Sequence, residues 1–480
     1  MSQQSSGVGS AELYDFYGKR PPVGELVPLA LQHVLAAIVG IVTPAIIVAN
    51  ACGIEEQRPM LIQAAILITA IATLMQLFPI FRKIGAGLPV IMGSSFAYVP
   101  TLTALSTEYA ELQGVDPKVN AFAVVMGAQI CGGIVAILFA IFLKRIRKLF
   151  PTVVTGTVIL TIGLSLYPTA VRYMAGGTAA ENDGSFGGLK HWAVALITFA
   201  IVVILNNFAT GIAKLSALLI GMVAGYLISI PLGLVDFSAI ASTSGIISFP
   251  AIRFWGISHS NPMIVAPQFV PAACISLSAI YVVNAVQTIG DLSSTTMGGM
   301  DRMPTRKELE GGIAGQGFAS IIGALFGGLP TASYSQNVGI VTVNRVVNRH
   351  VFTFASVILL VAGLFPKVSA ALTTIPQCVI GGATLYVFAM IAMTGMQMVT
   401  QNGFDMRKKT IVGLSLALGC GVTQVDGSLA GPGFHPAIAT IFASAPMVLA
   451  VILAIILNLV LPKTPEQQAA IDQENEEMNI

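Results

Sequence analysis

Three polar side chains, Asn284, Gln287 and Asp291, recur at i, i+3 and i+7 inside an otherwise apolar run. On a helix that spacing places all three on one face about two turns long. Other polar groups at comparable depth are few: Gln32-His33 in the first apolar run, Gln316, and Gln336-Asn337. Inside a bilayer an ionisable side chain costs about 2.5–3.5 kcal/mol on insertion scales, so Asp291 and His33 need a functional reason to be there. The carboxamides of Gln and Asn each present a donor and an acceptor side by side, which suits the amide or imide edge of a flat, neutral heterocycle. Phe96 and Tyr334 are placed in sequence to cover the faces of such a ring. Interhelical hydrogen bonds, worth about 0.6–2 kcal/mol each, are the competing use of the same side chains, and for Asn284 alone that use is the stronger reading. No paired nucleophile and base, no glycine-rich loop with a following Lys, and no His pair at ligand spacing is present, so catalysis, nucleotide hydrolysis and a metal centre are not expected. No cofactor is called for.

The elements that position these groups are marked by two breaks. Gly87-Leu88-Pro89 precedes Gly93-Ser94-Ser95-Phe96, and Gly328-Leu329-Pro330 precedes Tyr334-Ser335-Gln336-Asn337-Val338-Gly339; from Gly87 to Gly328 is 241 residues in a chain of 480. Each proline lacks an amide proton and disfavours helix in the residue before it, so a short extended piece leading into a half-helix is expected at both places. Backbone polar groups freed at membrane depth are tolerated only against protein or a water-lined cavity. Matching breaks in two halves of a transporter point to a site between repeats.

Composition fixes the class. Hydrophobic residues make up 55% of the chain, charged residues 10%, and mean hydropathy is +0.82, which leaves too little to cover a water-soluble surface. We expect an all-α polytopic membrane protein. Fourteen candidate spans begin near Glu25, Pro59, Ala86, Asn120, Phe150, His191, Gly211, Met263, Glu310, Thr331, His350, Ser369, Lys409 and His435; those at Ala86 and Thr331 rest on the alternation of sides. With the N-terminus inside, 18 of the 24 Lys and Arg residues fall on inner segments and 6 on outer loops, so both termini are expected in the cytoplasm. Residues 1–24 lack the pattern of a removable signal peptide. The five cysteines are scattered without ligand spacing and read as small buried hydrophobes. The net charge of +2 is a topological bias and gives no nucleic-acid footprint.

The run Tyr334-Ser335-Gln336-Asn337-Val338-Gly339 closely resembles the signature of the nucleobase-ascorbate transporter family, the nucleobase-cation symporters of the second type. Gln32-His33 is similar to that family's Gln-His pair in the first helix, Gly93-Ser94-Ser95-Phe96-Ala97 to its third-helix strand, and Ile289-Gly290-Asp291 to the segment closing its eighth helix. The likeness runs from about Val27 to Pro462. It implies fourteen helices as 7+7 inverted repeats with two short strand segments. Residues 25–145 and 262–366 would form a core domain, 146–235 and 367–462 a gate domain, and 1–24 and 463–480 cytoplasmic tails. The gate would rock against the core in a homodimer in the cytoplasmic membrane.

Carried onto this chain, the resemblance makes Ser95, Phe96, Gln287, Tyr334, Ser335 and Gln336 the substrate-binding set, with His33, Asn284, Asp291, Gln316 and Asn337 in coupling or support. Gln at position 336 resembles the xanthine and uric acid members, whereas uracil-type relatives tend to have Glu, so a purine nucleobase is the expected substrate. Gln287 and Gln316 stand where the family usually has carboxylates, and Asn344 replaces the threonine that closes the motif. Asp291 and His33 are the remaining titratable candidates, and proton symport through Asp291 is therefore the expectation, with an uncoupled facilitator or a non-transporting nucleobase-binding receptor as alternatives. An anion carrier of similar architecture, as in the sulfate permease family, is disfavoured by the 18 residues after Pro462.

Overall fold

The computed structural model describes residues 11–115, 120–143, 149–210, 213–214, 216–243, 245–248, 266–400, 403–425, 428–429, 431, 433 and 446–463. Outside them lie residues 1–10, Lys144 to Lys148, the expected span starts near Met263 and His435, and nearly all of the C-terminal tail. In chain order the main elements are α1 (Val23–Ala51), α2 (Arg58–Leu77), β1 (Met92–Ser94), α3 (Val99–Val115), α4 (Ala121–Ile141), α5 (Thr152–Ser165), α6 (Tyr167–Met174), α7 (Leu189–Phe208) and α8 (Ala217–Ser229). They continue with α9 (Pro271–Ser294), α10 (Arg306–Phe326), β2 (Thr331–Ser333), α11 (Ser335–Asn344), α12 (Arg349–Leu364), α13 (Pro366–Thr373), α14 (Gln377–Thr400), α15 (Met406–Gln424) and α16 (Pro446–Val460). Eight described helical segments are long and apolar enough to cross a bilayer, or nine if the bent pair α12–α13 is one span.

Local signals set the boundaries. Asn120 caps α4 through its side chain at 2.9 Å from the Ala123 amide, Thr305 and Glu308 form a capping box at the start of α10, and Asp405 caps α15. Pro366 starts α13 at an angle of 83° to α12, because proline cannot continue the ladder of the preceding helix. Consequently the next long helix starts at Gln377 and not at the expected Ser369, and α13 lies against α2.

The helices pack in two groups. α1 to α4 associate with α9, α10 and α12, while α5 to α8 associate with α14, α15 and α16. In a bilayer there is no hydrophobic drive between helices, so close approach through small residues does the work. Gly133 of α4 and Gly317 of α10 face each other so tightly that a Cβ on Gly133 would lie 2.7 Å from the Gly317 carbonyl oxygen.

β1 and β2 join as an antiparallel pair in the middle of the first group, with Met92 opposite Ser333, Gly93 opposite Ala332 and Ser94 opposite Thr331. Both strands are wholly buried. Thr73 of α2 holds β1 by accepting from the Met92 amide at 3.1 Å. Two buried glutamines hold the flanking turns: Gln76 accepts from the Ala86 amide at 2.8 Å and donates to the Gly312 carbonyl at 2.9 Å. Gln129 donates to the carbonyls of Ser320 and Gly328 at 2.8 and 3.1 Å. The backbone groups freed by the two breaks are thereby satisfied inside protein.

Candidate functional site

A cavity of about 560 Å³ lies between the two helix groups, within the range of roughly 300–1,000 Å³ typical of small-molecule sites. One wall consists of Leu35 to Gly40 on α1, Ser95 to Ala97, the α9 face from Val286 to Ser294, and Ser333 to Gln336. The other comes from α5, α7, α8 and α14, including Asn206, Tyr386, Met390 and Thr394. Ser95, Phe96, Gln287, Asp291, Tyr334, Ser335 and Gln336 all line it.

Asp291 is the anchor of the site. Its two carboxylate oxygens accept separately from the Ser333 hydroxyl at 2.5 Å and the Ser335 hydroxyl at 2.8 Å. Hydrogen bonds to an ionised acceptor are worth about 1.5–3 kcal/mol each, so α9 fixes the passage from β2 into α11. That passage points a helix start at the cavity, and no side chain caps α11. The first amides of a helix lack intrahelical partners and favour an acceptor. Across the strand pair, Ser95 caps its own following turn, accepting from the Ala97 amide at 3.2 Å. Of the two half-helices, only the one after Tyr334 therefore keeps its start free of a side-chain cap.

Gln287 and Gln336 make no side-chain hydrogen bond to another described residue and line the cavity. Two free carboxamides on a cavity that Asp291, Lys214, Asn206 and several serines also line, among apolar side chains, can read a planar edge that carries both donors and acceptors. The ring residues are packed more closely than their sequence positions suggest. Phe96 is 6% exposed and meets Phe388 of α14 edge-on at 5.2 Å. Tyr334 is also 6% exposed, with its hydroxyl donated to the Ser94 carbonyl at 2.6 Å.

Four residues of the expected set are absent from the cavity lining. Asn337 donates to the His33 carbonyl at 2.9 Å and lies 3.1 Å from His33 Nδ1, while the His33 ring rests on Phe352 at 4.5 Å. The pair ties α11 to α1 behind the site. Asn284 and Gln316 meet in a second buried cluster: Gln316 donates to Asn284 Oδ1 at 2.6 Å and to the Tyr98 hydroxyl at 2.9 Å, and accepts from Thr288 at 2.7 Å. Asn284 does share the helical face of Gln287 and Asp291, but the cavity ends a turn short of it, where α10 covers the helix. Sequence reasoning missed Ser333, the wall of α14, and Asn206; an apolar helix such as α14 carries no signal that distinguishes a cavity wall from a lipid-facing side.

A family model described as a permease family matches residues 24–428. The xanthine permease of Bacillus subtilis is 32% identical over 445 residues, covering 91% of this chain and 94% of that one. The xanthine permease XanQ of Escherichia coli (strain K12) is 30% identical over 449 residues, covering 92% of each. Among solved structures, the transmembrane domain of a cyanobacterial bicarbonate transporter, BicA, has a TM-score of 0.54 at 17% identity, covering 90% of this chain and 97% of that one. The overall structure of SLC26A9 has a TM-score of 0.56 at 11% identity, covering 91% of this chain and 66% of that one; at such identities the likeness shows the fold alone. A chain built of apolar helices around paired broken segments, and matched along most of its length by these permeases, is an integral membrane transport protein and no enzyme, and it belongs to the nucleobase-ascorbate transporter family.

Proposed function

We propose that this protein carries an oxopurine nucleobase, of the xanthine or uric acid type, across the cytoplasmic membrane. The observation that carries the reading is the pair of carboxamides, Gln287 and Gln336, without a side-chain partner among the described residues, on a cavity that Asp291, Ser333 and Ser335 also line. Gln287, Gln336 and the free amides at the start of α11 bind the edge of the base, and Ser95, Phe96 and Tyr334 border its ring. Asp291 takes up and releases the coupling proton: it is the one carboxylate on the cavity among the described residues, and both its oxygens already accept hydrogen bonds that a proton would rearrange. His33, Asn337, Asn284 and Gln316 support the two broken segments from behind.

The two helix groups act as core and gate of an elevator-like movement, in a fourteen-helix chain of two inverted repeats with both termini in the cytoplasm, assembled as a homodimer. Two features support alternating access. The cavity touches α1 only from Leu35 to Gly40 and reaches residues near the C-terminal ends of α7, α9 and α14. Beyond Gly40, residues 41–49 are buried without interruption. At the far end of α1, about 15 Å along the helix, Asn50 donates to the Tyr173 hydroxyl of α6 at 2.9 Å and accepts from Arg58 at 2.6 Å. That clasp joins the two groups at the end of α1 that the cavity does not reach.

Uptake of labelled xanthine in competition with uric acid, guanine, hypoxanthine and uracil tests the substrate. Xanthine and uric acid should compete best, and uracil as the strongest competitor would overturn the reading of Gln336. An uncoupled facilitator is the second reading, favoured by the presence of amides at Gln287 and Gln316 where relatives usually keep carboxylates.

A further inference from the structure

Directly after α2 the chain makes a tight reversal closed by a bridge between Ile80 and Ile84. Ile80 donates to the Ile84 carbonyl at 2.8 Å, and Lys83 donates back to Ile80 at 3.1 Å. The two residues at its tip, Phe81 and Arg82, have φ of 51° and 57°. A turn with both central residues at positive φ is one that Asn-Gly adopts without strain and that a bulky aromatic and an arginine do not. The base of the turn over-determines it: the Gly85 amide donates to the Gly311 carbonyl at 2.7 Å, and Gln76 holds Ala86 and Gly312. A strained conformation kept by a rigid base invites a functional explanation for the residues it displays.

What the turn displays is an exposed aromatic beside unpaired cations. Phe81 is 88% exposed and Phe78, at the end of α2, is 46% exposed. Arg82 and Lys83 are both exposed. Lys307 is exposed too and lies one helical turn before Gly311, where an added Cβ would meet the carbonyl oxygens of Gly85 and Lys83. None of these three cations forms an ion pair with a described residue, whereas the nearby acids are taken: Glu308 by Arg302, Glu310 by Arg306, and Asp301 by Arg345. Since α2 ends immediately before it, the turn sits at a membrane face. The inside bias of positive charge accounts for Arg82 and Lys83 by sign, but gives no reason for a strained turn with Phe81 at its tip.

We propose that this turn is a binding site for an anionic phospholipid, with Arg82, Lys83 and Lys307 on the headgroup phosphate and Phe81 inserted at the boundary of the acyl chains. A cation near an anionic membrane surface strengthens binding about fivefold, and the aromatic adds its buried apolar area. The site is separate from the transport cavity and does not depend on what the cavity carries.

The test uses the full chain in neutral detergent, titrated with phosphatidylglycerol, phosphatidylcholine or inorganic phosphate and read by native mass spectrometry. Phe81→Asn combined with Arg82→Gly places the residues the turn prefers, so thermal stability should hold or rise while phosphatidylglycerol affinity falls about tenfold and phosphatidylcholine affinity stays unchanged. Arg82→Gln with Lys83→Gln makes the same comparison without altering the backbone preference and should lose affinity similarly. Unchanged phosphatidylglycerol affinity in both variants would overturn the proposal. So would displacement of the lipid from the wild-type protein by millimolar inorganic phosphate, which would mark a site for a soluble anion.

Discussion

Replacing Asp291 by asparagine removes the carboxylate while keeping a similar shape. The amide oxygen can still accept from one serine and its NH2 can donate to the other, so the two bonds to a carboxylate at 2.5 and 2.8 Å become two bonds to a neutral amide, one of them reversed. Hydrogen bonds to an ionised group are about twice as strong as neutral ones, so the exchange costs about 1–3 kcal/mol, enough to loosen the start of α11 and weaken base binding by roughly 5- to 150-fold. The coupling effect is different in kind. One proton per base allows each pH unit across the membrane to support at most about tenfold accumulation, since one unit is 1.36 kcal/mol. In proteoliposomes with an imposed inward proton gradient of one unit, the wild-type protein should concentrate xanthine several-fold, and a protonophore should abolish that. Asp291→Asn should equilibrate xanthine to a ratio of one while still exchanging internal for external base at high concentration, where weakened binding is overcome. Accumulation by the variant equal to that of the wild type would refute the assignment of the proton to Asp291; a wild-type protein that never exceeds a ratio of one would favour the uncoupled facilitator.

Three further outcomes follow from single contacts. Tyr173→Phe removes the hydrogen bond to Asn50, worth about 0.5–1.5 kcal/mol net; a cysteine placed at Thr394 in a cysteine-free background should then react about 2- to 12-fold faster with an impermeant maleimide applied from the Asn50 side. Gly93→Ala would drive a methyl into the side chain of Thr69, which is fully buried and donates to the Ala65 carbonyl at 2.7 Å; this overpacking should cost about 1–3 kcal/mol of stability, measured as a lower melting temperature in detergent, with partial recovery on adding Thr69→Ala. Gln336→Glu removes an NH2 donor and adds a second carboxylate to the cavity that holds Asp291, so xanthine uptake should fall at least tenfold and uracil should gain as a competitor, measured in the same competition assay.

The twin Gly-Leu-Pro breaks were legible because proline and glycine constrain backbone locally, and the mid-chain offset pointed to a site between them; the antiparallel pairing of β1 with β2 was not legible, since it joins strands from the two halves of the chain. The i, i+3, i+7 spacing placed Gln287 and Asp291 on the cavity for an equally local reason. It could not show where the cavity stops along α9, since that depends on α10 covering Asn284 through Gln316, 32 residues later. Ser333 was missed because its role is set by strand register and by Asp291, 42 residues earlier. Likewise Asn50 and Tyr173 are ordinary residues in sequence, and only the packing of α6 against the end of α1 brings them together across 123 positions.

Equilibrium binding of xanthine to the purified protein, compared with Gln287→Ala and Gln336→Ala, tests the central claim most directly. Each carboxamide can give up to two hydrogen bonds, together worth about 1–3 kcal/mol, so each variant should bind roughly 5- to 150-fold more weakly with its fold intact. Xanthine binding that is unchanged by both substitutions, or absent from the wild-type protein, would contradict the account.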